Sequence, residues 1–511
     1  MTAPSHSGAV AVAAPHPAAL EAARAAVARG GNAVDAALAA AAALTVVYPH
    51  QCSLGGDLVA LVRHPGGQVR AVLSAGAAAE AVDVAALRAA DDRMPAQGPQ
   101  TVTVPGAVAG WTLLASLAGT DGALCHALRD AAALASDGSA VSAGLARAIA
   151  GRADAVRADP GLSALFAGPE GGLLAEGATL RQPRLAAVLD ALADDPDAFY
   201  RGGIADALAA GLRTAGSPLT AADLAAHQGE TAEPLLLDAG SARWWAAPPP
   251  FQGATLLAVL NAAAVGGLPA DLIELCHSAA AARDLLLGDP RRAPVDLAGL
   301  IRPAPVPVGA APAPLCRPAG DTVAVTAVDT SGLAVSLIQS VYQTFGSGIC
   351  DPGTGIVLHN RGSAFSLAPG HPALIGPGLR PPHTLCPVLA ETPDLLLAAG
   401  CQGGRAQPQI LAQTAPALLD GIADPAAVLA RPRWVIGSRD IGHPAPTLLA
   451  EPGSPAAEAG PALAGLPVAV TGGPSDLAGH VQAVRLAAGR LDAASDPRAD
   501  GGALVLTGPV R

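Results

Sequence analysis

The segment TVAVTAVDTSGLAVSLIQS, Thr322–Ser340, has the pattern of two strands joined by a tight turn. Two runs rich in β-branched residues flank Thr330-Ser331-Gly332, and a short loop containing glycine is typical of a β-hairpin. If Asp329 faces Leu333 across this turn, Thr322 faces Ser340, close enough for the two hydroxyls to hydrogen-bond. A slip of one residue would place them on opposite faces of the sheet. The segment therefore predicts a hairpin with a hydroxyl pair at its open end.

The sequence on either side of this hairpin differs in character. Arg302–Gly320, directly upstream, has many prolines, few charges and no helical period, which predicts a loose linker. Residues from about 110 to 290 are Ala/Leu-rich and predict helices separated by short loops. The other predicted elements are the helices Pro17–Arg29, Asn32–Val47 (which Asn32 or Asp35 begins) and Gln409–Leu419, and the strands Leu58–Arg63 and Val69–Leu73.

Composition excludes several classes of protein. The chain has 511 residues, which suggests about three domains, and it contains no lysine. Lysine Schiff-base chemistry and a Walker-type phosphate loop are therefore excluded. The net charge of −12 and the 2% aromatic content argue against a nucleic-acid partner. No motif points to a cofactor.

Metal sites and membrane segments are also not expected. The seven cysteines include no C-x-x-C pair, and the adjacent pairs Cys125-His126 and Cys276-His277 have poor spacing for zinc. The apolar run Ala36–Val47 is too short to span a bilayer. The N-terminus MTAPSHSGAV lacks the features of a secretory signal, so the expected location is the cytoplasm.

A series of motifs in a fixed order resembles the γ-glutamyltranspeptidase family, in particular its acylase-like branch, which includes oxamate amidohydrolases. The longest is Gly320–Leu367, which is similar to the start of that family's small subunit. The further motifs, from the N-terminus on, are PHPAALEAA near Pro15, RGGNAVDAA (Arg29–Ala37), PHQCSLGGD (Pro49–Asp57), VTVPGAVAGW (Val102–Trp111), FYRGGIA (Phe199–Ala205), PPPFQG (Pro248–Gly253), RPPHTLCP (Arg380–Pro387), GGRAQPQ (Gly403–Gln409) and SDPRADGGA (Ser495–Ala503).

This resemblance implies an α+β fold, the four-layer αββα sandwich of N-terminal-nucleophile hydrolases. It also implies autocleavage between Asp321 and Thr322. The products would be a large subunit, 1–321, and a small subunit, 322–511, in an αβ heterodimer that could assemble further. Thr322, freed as an N-terminus, would carry its own base, because an α-amino group has a pKa of about 7.7–8.0.

The resemblance assigns roles to other residues one at a time. Ser340 matches the hydroxyl beside the nucleophile, and Gly403-Gly404 matches the glycines whose N–H groups form the oxyanion hole. Substrate-binding positions of the transpeptidases fall on Tyr342, Arg361, His383 and Thr384. Arg361, Arg380 and Arg405 are the candidate ligands of an anionic substrate, since arginine offers a bidentate fork to carboxylates; a structural salt bridge is the alternative for each.

The substrate-binding residues of true transpeptidases are replaced. Ser74–Ala79 has no arginine where those enzymes hold the α-carboxylate, and Ala364 stands where an aspartate binds the α-amino group. Leu379 and Arg405 also depart from the Lys and Asp of acylase-like relatives. The resemblance therefore predicts hydrolysis or transfer of an acyl group from a small amide, without true γ-glutamyl transfer. Two alternatives stay open: hydrolytic C–C cleavage of an oxalyl-type group in 4-alkylproline-type antibiotic biosynthesis, and an unprocessed, non-catalytic homologue.

Overall fold

The computed structural model describes residues 8–168, 171–263, 269–306, 320–438, 441–459 and 465–508. The strands are β1 Ala9–Ala14, β2 Asp57–Arg63, β3 Val69–Ser74, β4 Ser139–Ala140, β5 Thr179–Leu180, β6 Glu230–Ala232, β7 Leu235–Ala239, β8 Ala242–Ala246, β9 Gly320–Asp329, β10 Ala334–Gln343, β11 Ile349–Cys350, β12 Val357–Leu358, β13 Val388–Glu391, β14 Leu395–Cys401, β15 Trp434–Gly437, β16 Thr447–Ala450, β17 Val468–Val470, β18 Val481–Ala487, β19 Arg490–Ser495 and β20 Gly502–Thr507.

The α-helices are α1 Pro17–Ala28, α2 Ala33–Val47, α3 Val84–Ala90, α4 Ala107–Ala118, α5 Ala123–Asp137, α6 Ala143–Gly151, α7 Ala153–Ala158, α8 Pro160–Leu165, α9 Pro183–Asp194, α10 Gly203–Thr214, α11 Ala221–Ala226, α12 Gly253–Ala263, α13 Pro269–Leu286, α14 Leu297–Ile301, α15 Gln407–Leu419, α16 Pro425–Leu429 and α17 Pro455–Ala459. Short 3-10 helices lie at Pro99–Thr101, Pro196–Phe199, Arg361–Ala364, Gly404–Ala406 and Asp476–Ala478.

Two large sheets form the centre of the molecule. One has seven strands in the order β20-β1-β9-β10-β2-β3-β6, and the other has six in the order β19-β18-β14-β13-β8-β7. Apolar side chains of both sheets, among them Ala324, Ile338, Leu389, Ala398 and Val484, meet in one buried cluster. Helices α1, α2 and α4 cover the outer face of the first sheet, and α12 and α15 that of the second. This is the four-layer αββα sandwich, and the predicted fold class is confirmed.

The predicted hairpin is β9–β10. From the turn to the pair of Gln339 and Val323, the register is the predicted one, which places Asp329 opposite Leu333. The Asp329 carboxylate accepts hydrogen bonds from the amides of Ser331 (2.9 Å) and Leu333 (3.2 Å), which fixes the turn. Beyond Gln339 the register shifts by one residue, because β10 carries a bulge before Tyr342.

Helix α2 holds the hairpin from the outer layer. Asn32 caps its N-terminus: the Asn32 side chain accepts from the amides of Val34 and Asp35, and the Asp35 side chain accepts from the Asn32 amide in return. All of its residues are buried, in keeping with its nearly unbroken run of apolar residues. The Gln339 side chain of β10 donates to the Ala41 carbonyl at 2.8 Å, so the hairpin is tied to this helix near its open end.

Some elements differ from the sequence-based expectation. Strand β1 was not predicted, although it pairs with both β9 and β20 and is the second strand from one edge of the sheet. Its residues are small, apolar and buried on both faces, so they lack the alternation that identifies a half-exposed strand. Strands β6–β8 were likewise missed within a region expected to be helical. Most of the linker predicted at Arg302–Gly320 lies outside the described residues, which resume at 320.

Candidate active site

A chain of hydrogen bonds connects the predicted nucleophile to the peptide bond before it. Thr322 is buried near the start of β9, and its hydroxyl donates to the Ser340 hydroxyl at 3.0 Å. The Ser340 hydroxyl donates in turn to the carbonyl oxygen of Asp321 at 2.7 Å. It also accepts from the Tyr342 amide at 2.8 Å. Thr322 and Ser340 are therefore brought together as the hairpin register predicts, with the Asp321–Thr322 peptide between them.

The bulge in β10 explains why Ser340 can make all three bonds. Tyr342 has φ 79°, a left-handed conformation that is unfavourable for a non-glycine residue. This turn of the backbone aims its amide at the Ser340 oxygen. Strain of about 1–3 kcal/mol is typical of such residues and persists where the surroundings enforce it, often at functional sites.

The carboxyl group of Asp321 is buried beside the same peptide. Burial raises its pKa to about 6, although hydrogen bonds with Thr344 and Gln402 act in the opposite direction. Asp321 and Thr322 are both buried, so negative charge that develops on the Asp321 carbonyl would be little screened by water.

Gly403 and Gly404 begin the turn after β14. Their φ values of 142° and 53° lie in the region that favours glycine, and a Cβ at Gly403 would come within 2.5 Å of Ile410 Cδ1. The Gln252 side chain donates to the Gly404 carbonyl at 3.0 Å, and strand β9 contacts the short helix Gly404–Ala406. Within the described part of the chain, the N–H groups of this glycine pair donate to no backbone carbonyl outside the helices and strands, so they stay candidates for the predicted oxyanion donors.

A buried charge cluster that the sequence did not predict lies in the same region. One oxygen of Asp57 is 3.2 Å from His359 Nδ1 and 3.1 Å from His383 Nε2, and the other accepts from the Gly76 amide. Burial alone would raise the pKa of Asp57, but the two histidines outweigh it and hold that pKa far below its usual range. Burial and Arg361 lower the pKa of His383 to about 3, so its imidazole is neutral. The available signal was Asp57 itself, which ends the family-like motif Pro49–Asp57.

Arg361 joins this cluster to the hairpin. Its guanidinium is fully buried, lies 3.8 Å from the Tyr342 ring centroid and donates to the Thr384 hydroxyl at 3.2 Å. Its Nε is 3.9 Å from Asp57. Burial lowers the pKa of Arg361 to about 10, which leaves it a cation at neutral pH. Four of the predicted substrate-binding residues thus form one assembly: Tyr342, Arg361, His383 and Thr384.

The other two predicted anion ligands are held in ion pairs. Arg380 donates to Asp289 from Nε (3.2 Å) and Nη2 (2.9 Å) and to Glu230 from Nη1 (3.1 Å), which is the salt-bridge alternative for this residue. Arg405 contacts both carboxylate oxygens of Asp284. A buried arginine on α13, Arg283, also donates to Asp284 at 3.0 Å. Sequence reasoning missed Arg283 because it lies in an Ala/Leu-rich helix far from any matched motif.

No metal centre or membrane span emerges from the described ranges. Their His, Cys, Asp and Glu side chains form no group of three or more arranged to hold a metal ion. None of the helices in these ranges combines the length and the apolar character needed to cross a bilayer.

Comparison with known proteins agrees with this architecture. The cephalosporin acylase of Bacillus halodurans superimposes with a TM-score of 0.87 at 29% identity, covering 100% of this chain and 98% of that one. The four layers and this match define an N-terminal-nucleophile hydrolase fold.

The sequence comparisons specify the family. The gamma-glutamyltranspeptidase profile matches residues 19–506. An oxamate amidohydrolase proenzyme of Klebsiella pneumoniae is 38% identical over 96% of this chain and 97% of its own length. An acylase proenzyme, ACY 1, of a Pseudomonas strain is 31% identical over 71% and 70% of the two chains. The chain belongs to the γ-glutamyltranspeptidase family, and these relatives support hydrolase activity.

Proposed function

We propose that this chain is a self-processing amidohydrolase that cuts itself between Asp321 and Thr322 and then uses Thr322 as the nucleophile. The observation that carries the proposal is the Thr322–Ser340–Asp321 hydrogen-bond chain. Two similar proteins, the oxamate amidohydrolase and the acylase, are named as proenzymes, which supports processing. The products would be 1–321 and 322–511, held as an αβ heterodimer.

The arrangement of the three residues supports self-cleavage. Attack of the Thr322 hydroxyl oxygen on the Asp321 carbonyl carbon would break the peptide C–N bond and form an ester, and the hydroxyl proton would pass to the departing Thr322 nitrogen. Ser340 donates to the carbonyl oxygen on which negative charge develops, so it stabilises the attack. Water would then hydrolyse the ester, leaving a carboxylate on Asp321 and an amino group on Thr322.

The same hydroxyl would then act on the substrate. The freed α-amino group of Thr322 accepts the hydroxyl proton, and the oxygen attacks the amide carbonyl carbon of the substrate. The N–H groups of Gly403 and Gly404 would stabilise the tetrahedral oxyanion. The amine leaves with a proton, and water hydrolyses the acyl-Thr322 ester to release the acid.

The substrate class follows from charge. The guanidinium group of Arg361 stacks on the Tyr342 ring, and those of Arg283 and Arg405 line the cavity next to it. These positive charges favour an anionic or oxo-acid acyl group. The 38% identical oxamate amidohydrolase makes oxamate the first compound to examine.

An activity screen tests the proposal. Purified protein and its Thr322→Ala variant are incubated with oxamate, a glutaryl amide and an oxalyl conjugate joined through carbon, and the released ammonia, amine or oxalate is measured. Amide hydrolysis that depends on Thr322 supports the proposal. Cleavage of the carbon-linked conjugate alone would favour C–C bond hydrolysis, and inactivity toward every compound would favour a non-catalytic homologue.

A further inference from the structure

A small cavity lies beside Tyr342, between helix α13 and the chain that follows Thr322. Its volume is about 40 Å³, and its walls include Arg283 and Asp284 of α13 together with Tyr342, Ala364 and Arg405. A single water needs roughly 10–15 Å³ by this measure, so the space fits a group of only a few heavy atoms. Residues from both sides of the proposed cleavage point build it.

The walls carry two guanidinium groups and one carboxylate. Arg283 donates to Asp284 at 3.0 Å, and Arg405 contacts the same carboxylate. Two guanidinium groups thus share one carboxylate. A carboxylate that entered this space would be attracted by both guanidinium groups.

Arg283 retains hydrogen-bonding capacity. Its side chain is 5% exposed, and its Nε has no hydrogen-bond partner within the described part of the chain. Burial and the neighbouring Arg405 lower its pKa to about 10, so it is still charged at neutral pH. The hydroxyl of Ser363, which also lines the cavity, is likewise without a partner among the described residues. A buried cation with an unused donor is costly unless something binds it.

The cavity is connected to the reacting groups through one residue. Tyr342 forms part of its wall, and the amide of the same residue donates to Ser340, the hydroxyl partner of Thr322. The Tyr342 ring stacks on Arg361, which is not among the cavity-lining residues. An acyl group seated in the cavity would therefore meet Arg283 and Arg405, while Arg361 supports Tyr342 from outside.

We propose that Arg283 binds the carboxylate of the substrate's acyl group and that this cavity restricts the enzyme to short half-amides of dicarboxylic acids. This inference rests on the proposed amidohydrolase function. Arg405 supplies the second positive charge, and Asp284 holds both guanidinium groups in place. The small volume favours an oxamate-sized acyl group over a long one.

The test compares a charged substrate with a neutral one of the same size. Initial rates are measured for oxamate and for its diamide, oxamide, with the wild type, Arg283→Gln, Arg283→Lys and a control, Arg213→Gln, on the exposed face of α10. We expect Arg283→Gln to lower kcat/KM for oxamate about 10- to 100-fold, the range for losing a hydrogen bond to a charged group, mainly through KM. Its kcat/KM for oxamide should change less than about threefold. Arg283→Lys should recover part of the loss, and Arg213→Gln should match the wild type.

Two failures can be told apart. If the wild type hydrolyses oxamate and Arg283→Gln keeps the same preference for oxamate over oxamide, the assignment of Arg283 is overturned while the proposed function stands. If the wild type hydrolyses neither compound nor any other amide, the proposed function is contradicted and this inference with it. Processing of each variant, followed on a denaturing gel, and its melting temperature show whether it has folded.

Discussion

The hydroxyl of Ser340 lies 2.7 Å from the carbonyl oxygen of Asp321 and 3.0 Å from the hydroxyl of Thr322. One side chain thus contacts both the atom that would attack and the carbonyl that would be attacked. A β-bulge makes this geometry available, because it turns the Tyr342 amide toward the same Ser340 oxygen.

Ser340→Ala should slow processing and turnover at least tenfold while the protein still folds. The substitution removes the acceptor of the buried Tyr342 amide. An unpaired buried amide costs about 1–3 kcal/mol of stability, which a protein of this size tolerates. Ser336→Ala is the matched control, because Ser336 lies on the same strand and donates to the Ala399 carbonyl at 2.7 Å. Rates and melting temperatures of the two variants are compared. Equal activity in both at equal stability would mean that Ser340 is only structural.

Gly403→Ala should reduce kcat more than it reduces stability. The new Cβ would meet Ile410, and alanine is strained at φ 142°, so the backbone N–H groups of this pair would move. Losing one oxyanion donor typically lowers kcat by about 10²–10³-fold. Gly421→Ala provides the control, because Gly421 also has positive φ, and a Cβ there would meet only a side-chain atom of Leu395, at 3.1 Å. Similar kcat values for the two variants would argue against an oxyanion hole at Gly403.

Transfer of γ-glutamyl groups should be negligible. A γ-glutamyl donor brings an α-ammonium group, for which Ala364 offers no carboxylate, and the cavity that Ala364 lines contains the guanidinium groups of Arg283 and Arg405. Rates with a γ-glutamyl anilide are compared with those for an acyl anilide that lacks the α-amino group. A preference for the γ-glutamyl compound of about tenfold, equal to 1.4 kcal/mol in the transition state, would refute the argument from the replaced residues.

Stability should fall as the pH drops below about 6.5, in part because of His383. Its folded-state pKa of about 3 is below its unfolded value of 6.5, so only the unfolded chain takes up this proton in that window. The free energy of unfolding should therefore decrease by about 1.4 kcal/mol per pH unit for this group. Denaturant titrations of the uncut Thr322→Ala chain at about pH 7 and pH 5 measure the slope.

A second variant isolates the histidine. His383→Gln in the same background should flatten the pH dependence by about one proton, since the titrating group is gone. His126→Gln, on the exposed side of α5, controls for the loss of a histidine as such. An unchanged slope in His383→Gln would show that its imidazole does not control acid stability.

The features that could be predicted from the sequence are those set by neighbouring residues. The hairpin, its turn and the Thr322–Ser340 pairing follow from residues within one short segment, and α2 follows from its Asn32 cap. The bulge at Tyr342 was not predicted, because nothing in the local pattern shows that a tyrosine adopts positive φ. Strand β1 was missed because small residues buried on both faces have no alternation.

The parts of the site that were not predicted depend on contacts between residues far apart in the sequence. Asp57 meets His359 and His383 only after three distant parts of the chain have folded together, so no spacing rule brings them into one cluster. Arg283 lines the cavity from an Ala/Leu-rich helix whose sequence carries no motif that indicates a functional site. In both cases the charged residues could be seen in the sequence, but their partners could not.

The most direct test of the central claim is N-terminal sequencing of the purified protein, combined with its intact mass. Self-cleavage predicts two fragments, the smaller beginning Thr-Val-Ala-Val at Thr322, while Thr322→Ala should remain one uncut and inactive polypeptide. An intact wild-type chain that hydrolyses its substrate, or a cut at any other peptide bond, would contradict the account.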